Sequence, residues 1–206
     1  MARARLNSTP SSRGDTSKPR AVATMPRASG IPTWIIYWFA ISTCIVFWDA
    51  GYGLLPVARD TRHFIASKLW FPYQSTYRYV DMFYNDEAWP AVSGLGMNFF
   101  GPAQSYMNLV ENLLNLSFLW LERKNDARAR VVGLVAVTMT ASKTILYFVC
   151  LSVIGWTEMI PSSAKDLVAF LTQFLIPNST WIVVPTIIAY TLGSQLVAAT
   201  KGAKSS

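Results

Sequence analysis

The sequence predicts an all-α integral membrane protein, a bundle of four transmembrane helices whose first connection is long and aromatic. Three observations carry that prediction. Residues 31–57, 99–121, 131–156 and 167–200 are each apolar over the roughly 20 residues needed to cross a hydrocarbon core about 30 Å thick. Only 14% of the 206 residues are charged and 52% are hydrophobic, whereas soluble domains carry about 25% charged residues. The charges inside the first three segments are solitary: Asp49, Glu111 and Lys143. A charge at mid-bilayer depth costs roughly 2.5–3.5 kcal/mol on insertion scales, so such residues face a bundle interior and mark a substrate path or a reactive site.

The elements follow in order. Residues 1–30 are rich in Arg, Ser, Thr, Ala and Pro and poor in acids, which predicts a disordered, basic, cytosolic tail. A mitochondrial transit peptide shares that composition, but Pro10, Pro19 and Pro26 break the amphipathic helix it needs. The membrane domain is expected over 31–200. Its first connection, residues 58–98, holds Phe64, Trp70, Phe71, Tyr73, Tyr77, Tyr79, Phe83, Tyr84 and Trp89. Aromatics at that density suit either a membrane-interface belt or a cap over a cavity mouth. The fourth segment is too long for one straight span, and Pro177 and Pro185 are expected to kink it or end a preceding turn. Residues 201–206 form a short cytosolic tail.

The net charge of +7 does not point to nucleic acid, because its distribution is that of a membrane topology. Arg3, Arg5, Arg13, Lys18, Arg20 and Arg27 lie in the leader, Arg123, Lys124, Arg128 and Arg130 flank the second connection, and Lys201 and Lys204 follow the last helix. With four spans these fall on one side, which the positive-inside rule makes cytosolic. The first connection, with Arg59, Arg62, Lys68 and Arg78, departs in part, but it is long and carries acids beside its bases. Both termini are then cytosolic in a multi-pass protein.

No G-x-S-x-G, Walker loop, H-E-x-x-H or GxGxxG occurs, so hydrolase, nucleotide and metalloprotease readings lack support, and no metal or other cofactor is expected. His63 reads as a solvated loop residue. Cys44 and Cys150 read as small buried hydrophobes. The glycosylation patterns at Asn7, Asn115 and Asn178 fall on the cytosolic tail and on apolar segments, where they are not used.

Four stretches resemble one family. Phe47-Trp48-Asp49-Ala50-Gly51-Tyr52-Gly53-Leu54-Leu55-Pro56 looks like the first-helix segment of the sigma-2 receptor, with its aspartate before a Leu-Pro end. Tyr79-Val80-Asp81-Met82-Phe83-Tyr84-Asn85-Asp86 resembles the loop motif of the emopamil-binding proteins, which ends in an aspartate. Leu109-Val110-Glu111-Asn112-Leu113-Leu114 resembles their second-helix glutamate, and Asn178-Ser179-Thr180-Trp181-Ile182-Val183-Val184-Pro185 resembles the last-helix pattern of the sterol isomerase branch. Together they are similar to the EXPERA family over about residues 31–200.

That resemblance implies a membrane bundle around an apolar cavity with acids at its polar end, in the endoplasmic reticulum membrane. Asp49, Glu111 and Asp86 would be the acid/base groups, and Trp181 the neighbour of a carbocation. Asn178, Trp48, Tyr52, Lys143, Thr144 and Tyr147 would complete the substrate site. Two departures bear on the chemistry. Ile45 stands where the isomerase branch has a histidine, and Thr144, preceded by Lys143, stands where it has an acid. Lys143 is expected to pair with Glu111 or Asp49. The resulting expectation is an isomerase or cyclase acting by protonation and deprotonation on a lipophilic isoprenoid- or sterol-like substrate, in specialised metabolite biosynthesis. The alternative is a non-catalytic protein that binds or traffics sterols or amphiphilic amines. Its partners are the substrate and membrane lipid, not nucleic acid, with a homodimer allowed.

Overall fold

The computed structural model describes residues 30–84, 99–154 and 164–202. The expected leader up to residue 29, Asp86, Trp89, the third connection at 155–163 and Lys204 lie outside the described residues. Among the described residues the secondary structure is entirely helical.

Helix α1 runs Thr33–Leu54 and stops where the sequence says it must. Leu55 precedes Pro56 and takes an extended backbone, as proline imposes on the residue before it. The chain then folds back in three short helices: α2 (Pro56–Arg59), α3 (Phe64–Leu69) and α4 (Phe71–Ser75). Exposed His63 caps α3, its Nδ1 accepting the Ala66 N–H at 3.2 Å. Two indoles fasten this connection to α1. Trp48 donates to the Leu69 carbonyl and Trp70 donates to the Trp48 carbonyl, each at 3.0 Å. Turns of 3₁₀-helix at Tyr77–Tyr79 and Met82–Tyr84 follow.

Helix α5 (Phe100–Arg123) and helix α6 (Arg128–Ile154) form a tight hairpin. Its turn places Asn125 at φ 52°, a left-handed conformation that asparagine tolerates. The Asp126 carboxylate next to it accepts the Arg128 N–H at 2.9 Å. The last rod consists of α7 (Ala164–Ala169), a π-helical stretch at Phe170–Leu175, and α8 (Ile176–Gly202). The irregularity anticipated at Pro177 takes the form of that π-helical stretch just before it, while Pro185 sits buried inside α8.

Among the described residues three helical rods are long and apolar enough to cross a membrane: Thr33–Leu54, Arg128–Val153 and Leu167–Gly202. Large apolar side chains such as Tyr37, Phe47, Val153 and Tyr190 stand exposed on their outer faces, as a lipid surround requires. The described chain is helical, with three candidate membrane spans. Helix α5 has the length, but Asn108, Glu111, Asn112 and Asn115 lie buried along one stripe of it, and it falls short in apolarity.

Neighbouring long helices run antiparallel, α1 against α5, α5 against α6 and α6 against α8. Gln195 of α8 ties one end together, donating to the Gly30 carbonyl at 3.0 Å and accepting from Arg130 Nε at 3.1 Å. Near that end the bundle is solidly apolar. The Phe39 and Phe118 rings stack 3.8 Å apart among Ile35, Val137, Ile188 and Leu192. Gly133 is required there, because a Cβ would lie 2.7 Å from the Phe118 ring. Gly53 brings α1 against α5 at the other end, where a Cβ would fall 1.9 Å from Ser105 Oγ. One expectation is corrected: Cys44 is exposed on the outer face of α1 rather than buried. Facing lipid keeps its sulfur out of water as a core would.

Candidate functional site

At the end away from the apolar cluster, each long helix changes character at one level. Above Phe39, α1 presents Asp49, and before Phe118, α5 presents Asn108 and Glu111. Helix α6 turns from Ala136 and Val137 to Thr140, Lys143, Thr144 and Tyr147, and α8 begins with Asn178 and Trp181. These residues, with Tyr73, Tyr77 and Tyr84 of the first connection, enclose a cavity of about 190 Å³. The connection therefore contributes part of the wall.

Asp49 is the carboxylate on that wall. Its Oδ1 accepts the Tyr73 hydroxyl at 2.6 Å and the Tyr84 hydroxyl at 2.7 Å, and its Oδ2 accepts the Asn108 side-chain N–H at 2.7 Å. Asn108 cannot be turned the other way, because its carbonyl oxygen accepts from Lys143 Nζ. Lys143 in turn lies 2.8 Å from Glu111 Oε2. Glu111, Lys143, Asn108 and Asp49 thus form one buried chain of complementary charge, in which each group fixes the orientation of the next. Buried charges persist in an apolar surround when paired in this way.

The tyrosines are the second component. Tyr73, Tyr84 and Tyr52 stack with centroids 4.6–5.9 Å apart, and Tyr77 meets Tyr73 and Tyr84 edge-on at 5.1 and 5.2 Å. Burial pushes the Tyr73, Tyr77 and Tyr84 hydroxyls well above the usual phenol range, and the Asp49 and Asp81 charges add to it. They stay neutral and are available as hydrogen-bond donors. Trp181 lines the cavity with its ring 5.2 Å from that of Trp38, and Asn178 donates to the Tyr77 hydroxyl at 3.2 Å and the Phe174 carbonyl at 2.8 Å.

Of the residues singled out from sequence, Asp49, Lys143, Thr144, Tyr147, Asn178 and Trp181 line the cavity together. Glu111 lies behind the wall, completely buried, reaching the cavity only through Lys143. Of the two partners anticipated for Lys143, Glu111 is the one it contacts. Trp48 and Tyr52 stand outside the lining and support Tyr73, whose ring is 4.8 Å from Trp48. Asp86 lies outside the described residues. Ile45, in place of a histidine, forms an apolar part of the wall.

Sequence reasoning missed Asn108 and the three tyrosines. Asn108 had a signal, since Asn108, Glu111, Asn112 and Asn115 fall at i, i+3, i+4 and i+7, one face of a helix. The tyrosines stood in a connection that the sequence left open between an interfacial belt and a cap over a cavity mouth, without being singled out as site residues. Among the described residues no group of three or more His, Cys, Asp or Glu side chains is disposed to hold a metal. Neither a family model, nor a curated protein, nor a solved structure matches this chain.

Proposed function

We propose that this chain is a four-span membrane enzyme of the EXPERA type, an isomerase or cyclase that works by proton transfer on a lipophilic isoprenoid- or sterol-like substrate. One observation carries the reading: a lone carboxylate, Asp49, is aimed by three donors into an aromatic-walled cavity between membrane helices. Protonating an olefin creates a carbocation. A carboxylate and an indole face, here Asp49 and Trp181, stabilise such a cation in a dry site, the indole by about 2 kcal/mol when desolvated. Asp49 is also placed to remove the proton that ends the reaction. Glu111 serves in this scheme through Lys143, which keeps Asn108 donating to Asp49. At about 190 Å³ the cavity admits the reacting end of a substrate, with the remainder lying among the helices or in lipid.

The same reading takes α5 as the fourth span, lodged in the bilayer because its Asn and Glu side chains turn inward. It puts the Arg- and Lys-rich segments and both termini in the cytosol and the bundle in the endoplasmic reticulum membrane. Its partners are the substrate and lipid, with specialised metabolism as the setting. No cofactor is called for.

A second reading has an observation of its own. Asp49 and Glu111 are each held by donors or by a cation, which suits a static binder of sterols or amphiphilic amines. Incubating membranes carrying the chain in deuterated water with squalene or a ring-unsaturated sterol separates the two. The enzyme places deuterium on the carbon skeleton. Binding of the probe with no label after many hours would favour the binder.

A further inference from the structure

Asp81 belongs to no part of the chemistry described so far, yet it is one of the most deeply buried ionisable groups, 1% exposed. It sits between the two 3₁₀ turns, outside the long helices, and its backbone is pinned on both sides. Its N–H donates to the Tyr77 carbonyl at 3.0 Å and its carbonyl accepts from Tyr84 at 3.1 Å. Oδ1 accepts the Phe83 N–H at 3.0 Å, an Asx-type turn. Oδ2 and the Tyr147 hydroxyl of α6 are both buried without a close, well-aligned hydrogen bond. Turn chemistry accounts for one oxygen of this carboxyl, and the other is left to the Tyr147 and Tyr77 hydroxyls beside it.

We propose that Asp81 is the proton store of the cavity, passing its proton through the Tyr147 or Tyr77 hydroxyl to a bound olefin that Asp49 later deprotonates. This rests on the enzyme reading above and supplies what that reading lacks, a donor. Asp49 accepts from every partner it has, and Glu111 is paired with Lys143 behind the wall. Tyr147 and Tyr77 both touch Asp81's surroundings and both line the cavity. The titratable groups acting on Asp81 are Tyr147 of α6, Tyr77 of the preceding turn and, at longer range, Asp49 of α1. Burial pushes the Asp81 carboxyl up to about 7, against the pull of the Tyr147 and Tyr77 hydroxyls and the Phe83 N–H, so the group keeps a transferable proton near neutrality.

The step balances without a co-reactant. The tyrosine O–H gives its proton to one olefin carbon while its oxygen takes the Asp81 proton. The π pair forms the new C–H bond and leaves the neighbouring carbon cationic. Asp49 removes a proton from an adjacent carbon, and that C–H pair closes the shifted double bond. The cycle closes when the proton taken up by Asp49 returns to Asp81 by way of the hydroxyls that line the cavity between them, Tyr84 on Asp49 and Tyr77 beside Asp81.

The test uses the full chain in lipid nanodiscs. Asp81→Asn keeps an oxygen to accept from the Phe83 N–H and puts an amide nitrogen of similar size, which does not titrate, in place of the other oxygen. An infrared pH titration of the wild type should show a carboxylic-acid band that vanishes with a midpoint near 7, absent in Asp81→Asn and present in Asp49→Asn. Tyr147→Phe should move that midpoint upward by roughly half a unit, since the hydroxyl steadies the carboxylate. With squalene or a ring-unsaturated sterol in deuterated water, Asp81→Asn should label about 100-fold more slowly than wild type. Wild-type labelling that Asp81→Asn leaves at full rate, or a titration it does not alter, overturns the role of Asp81 alone. Failure of the wild type to label either probe overturns the enzyme reading and this role with it.

Discussion

The two ends of the bundle are built from the same helices by opposite means. At the Gly30 end, Phe39 and Phe118 stack at 3.8 Å and Gly133 lets α6 close on them, leaving no room for another atom. At the Asp49 end Gly53 still seats α1 on α5, but a cavity opens beside Asp49, and its wall is tied together by charge and hydrogen bonds through Glu111, Lys143, Asn108 and the tyrosines. Packing gains little from water exclusion inside a bilayer, so the apolar end is held by close contact. The solid end fixes the helix positions, and the hollow end uses them to aim one carboxylate.

Lys143→Met should break the hollow end hardest. Glu111 is left as a lone buried charge, at a cost of roughly 3–5 kcal/mol, read as a lower unfolding midpoint in detergent. Adding Glu111→Gln should restore most of that stability without restoring activity. A single variant as stable as wild type would show that the pair is incidental. In the solid end, Phe118→Ala should cost roughly 2–3 kcal/mol, below the usual soluble-core figure because lipid rather than water is the alternative surround. Activity per folded molecule should stay near wild type, and its loss would mean that the ends are not separable.

A pH dependence distinguishes the ends further. Asp81 in the folded chain titrates at about 7, above its unfolded value of roughly 3.9. Its contribution to stability is complete below the unfolded value and lost as pH rises through about 7, by at most about 1.4 kcal/mol per unit. Unfolding midpoints of wild type and Asp81→Asn should therefore converge or cross between pH 5 and 8, and parallel curves would count against a titrating Asp81. Gly133→Ala should cost roughly 1–3 kcal/mol, because the methyl group must displace a Phe118 ring already stacked on Phe39.

The helical membrane class and the three charges were legible because each is a local property: apolar length, and a charge where none is tolerated. Partnership was not. The sequence left Lys143 between Asp49 and Glu111, and only the helix rotations decide for Glu111. Asp86 drew attention through a motif, whereas Asp81, five residues earlier in the same stretch, is the carboxyl buried beside Tyr147. The aromatic density of the first connection allowed a cap over a cavity, but which tyrosines reach the wall is decided only when it folds back on α1 through Trp48 and Trp70. Cys44 was misread because the apolar content of a membrane helix does not say which face meets lipid.

The most direct test of the account compares wild type with Asp49→Asn in deuterated water, using squalene or a ring-unsaturated sterol as the olefin probe. The amide keeps the shape and can accept from Tyr73 but cannot take up a proton. Labelled, double-bond-shifted product should form with wild type and fall at least about 100-fold with Asp49→Asn, while the amount of probe bound stays the same. Equal labelling by the two proteins would contradict the assignment of Asp49 as the group that completes the reaction.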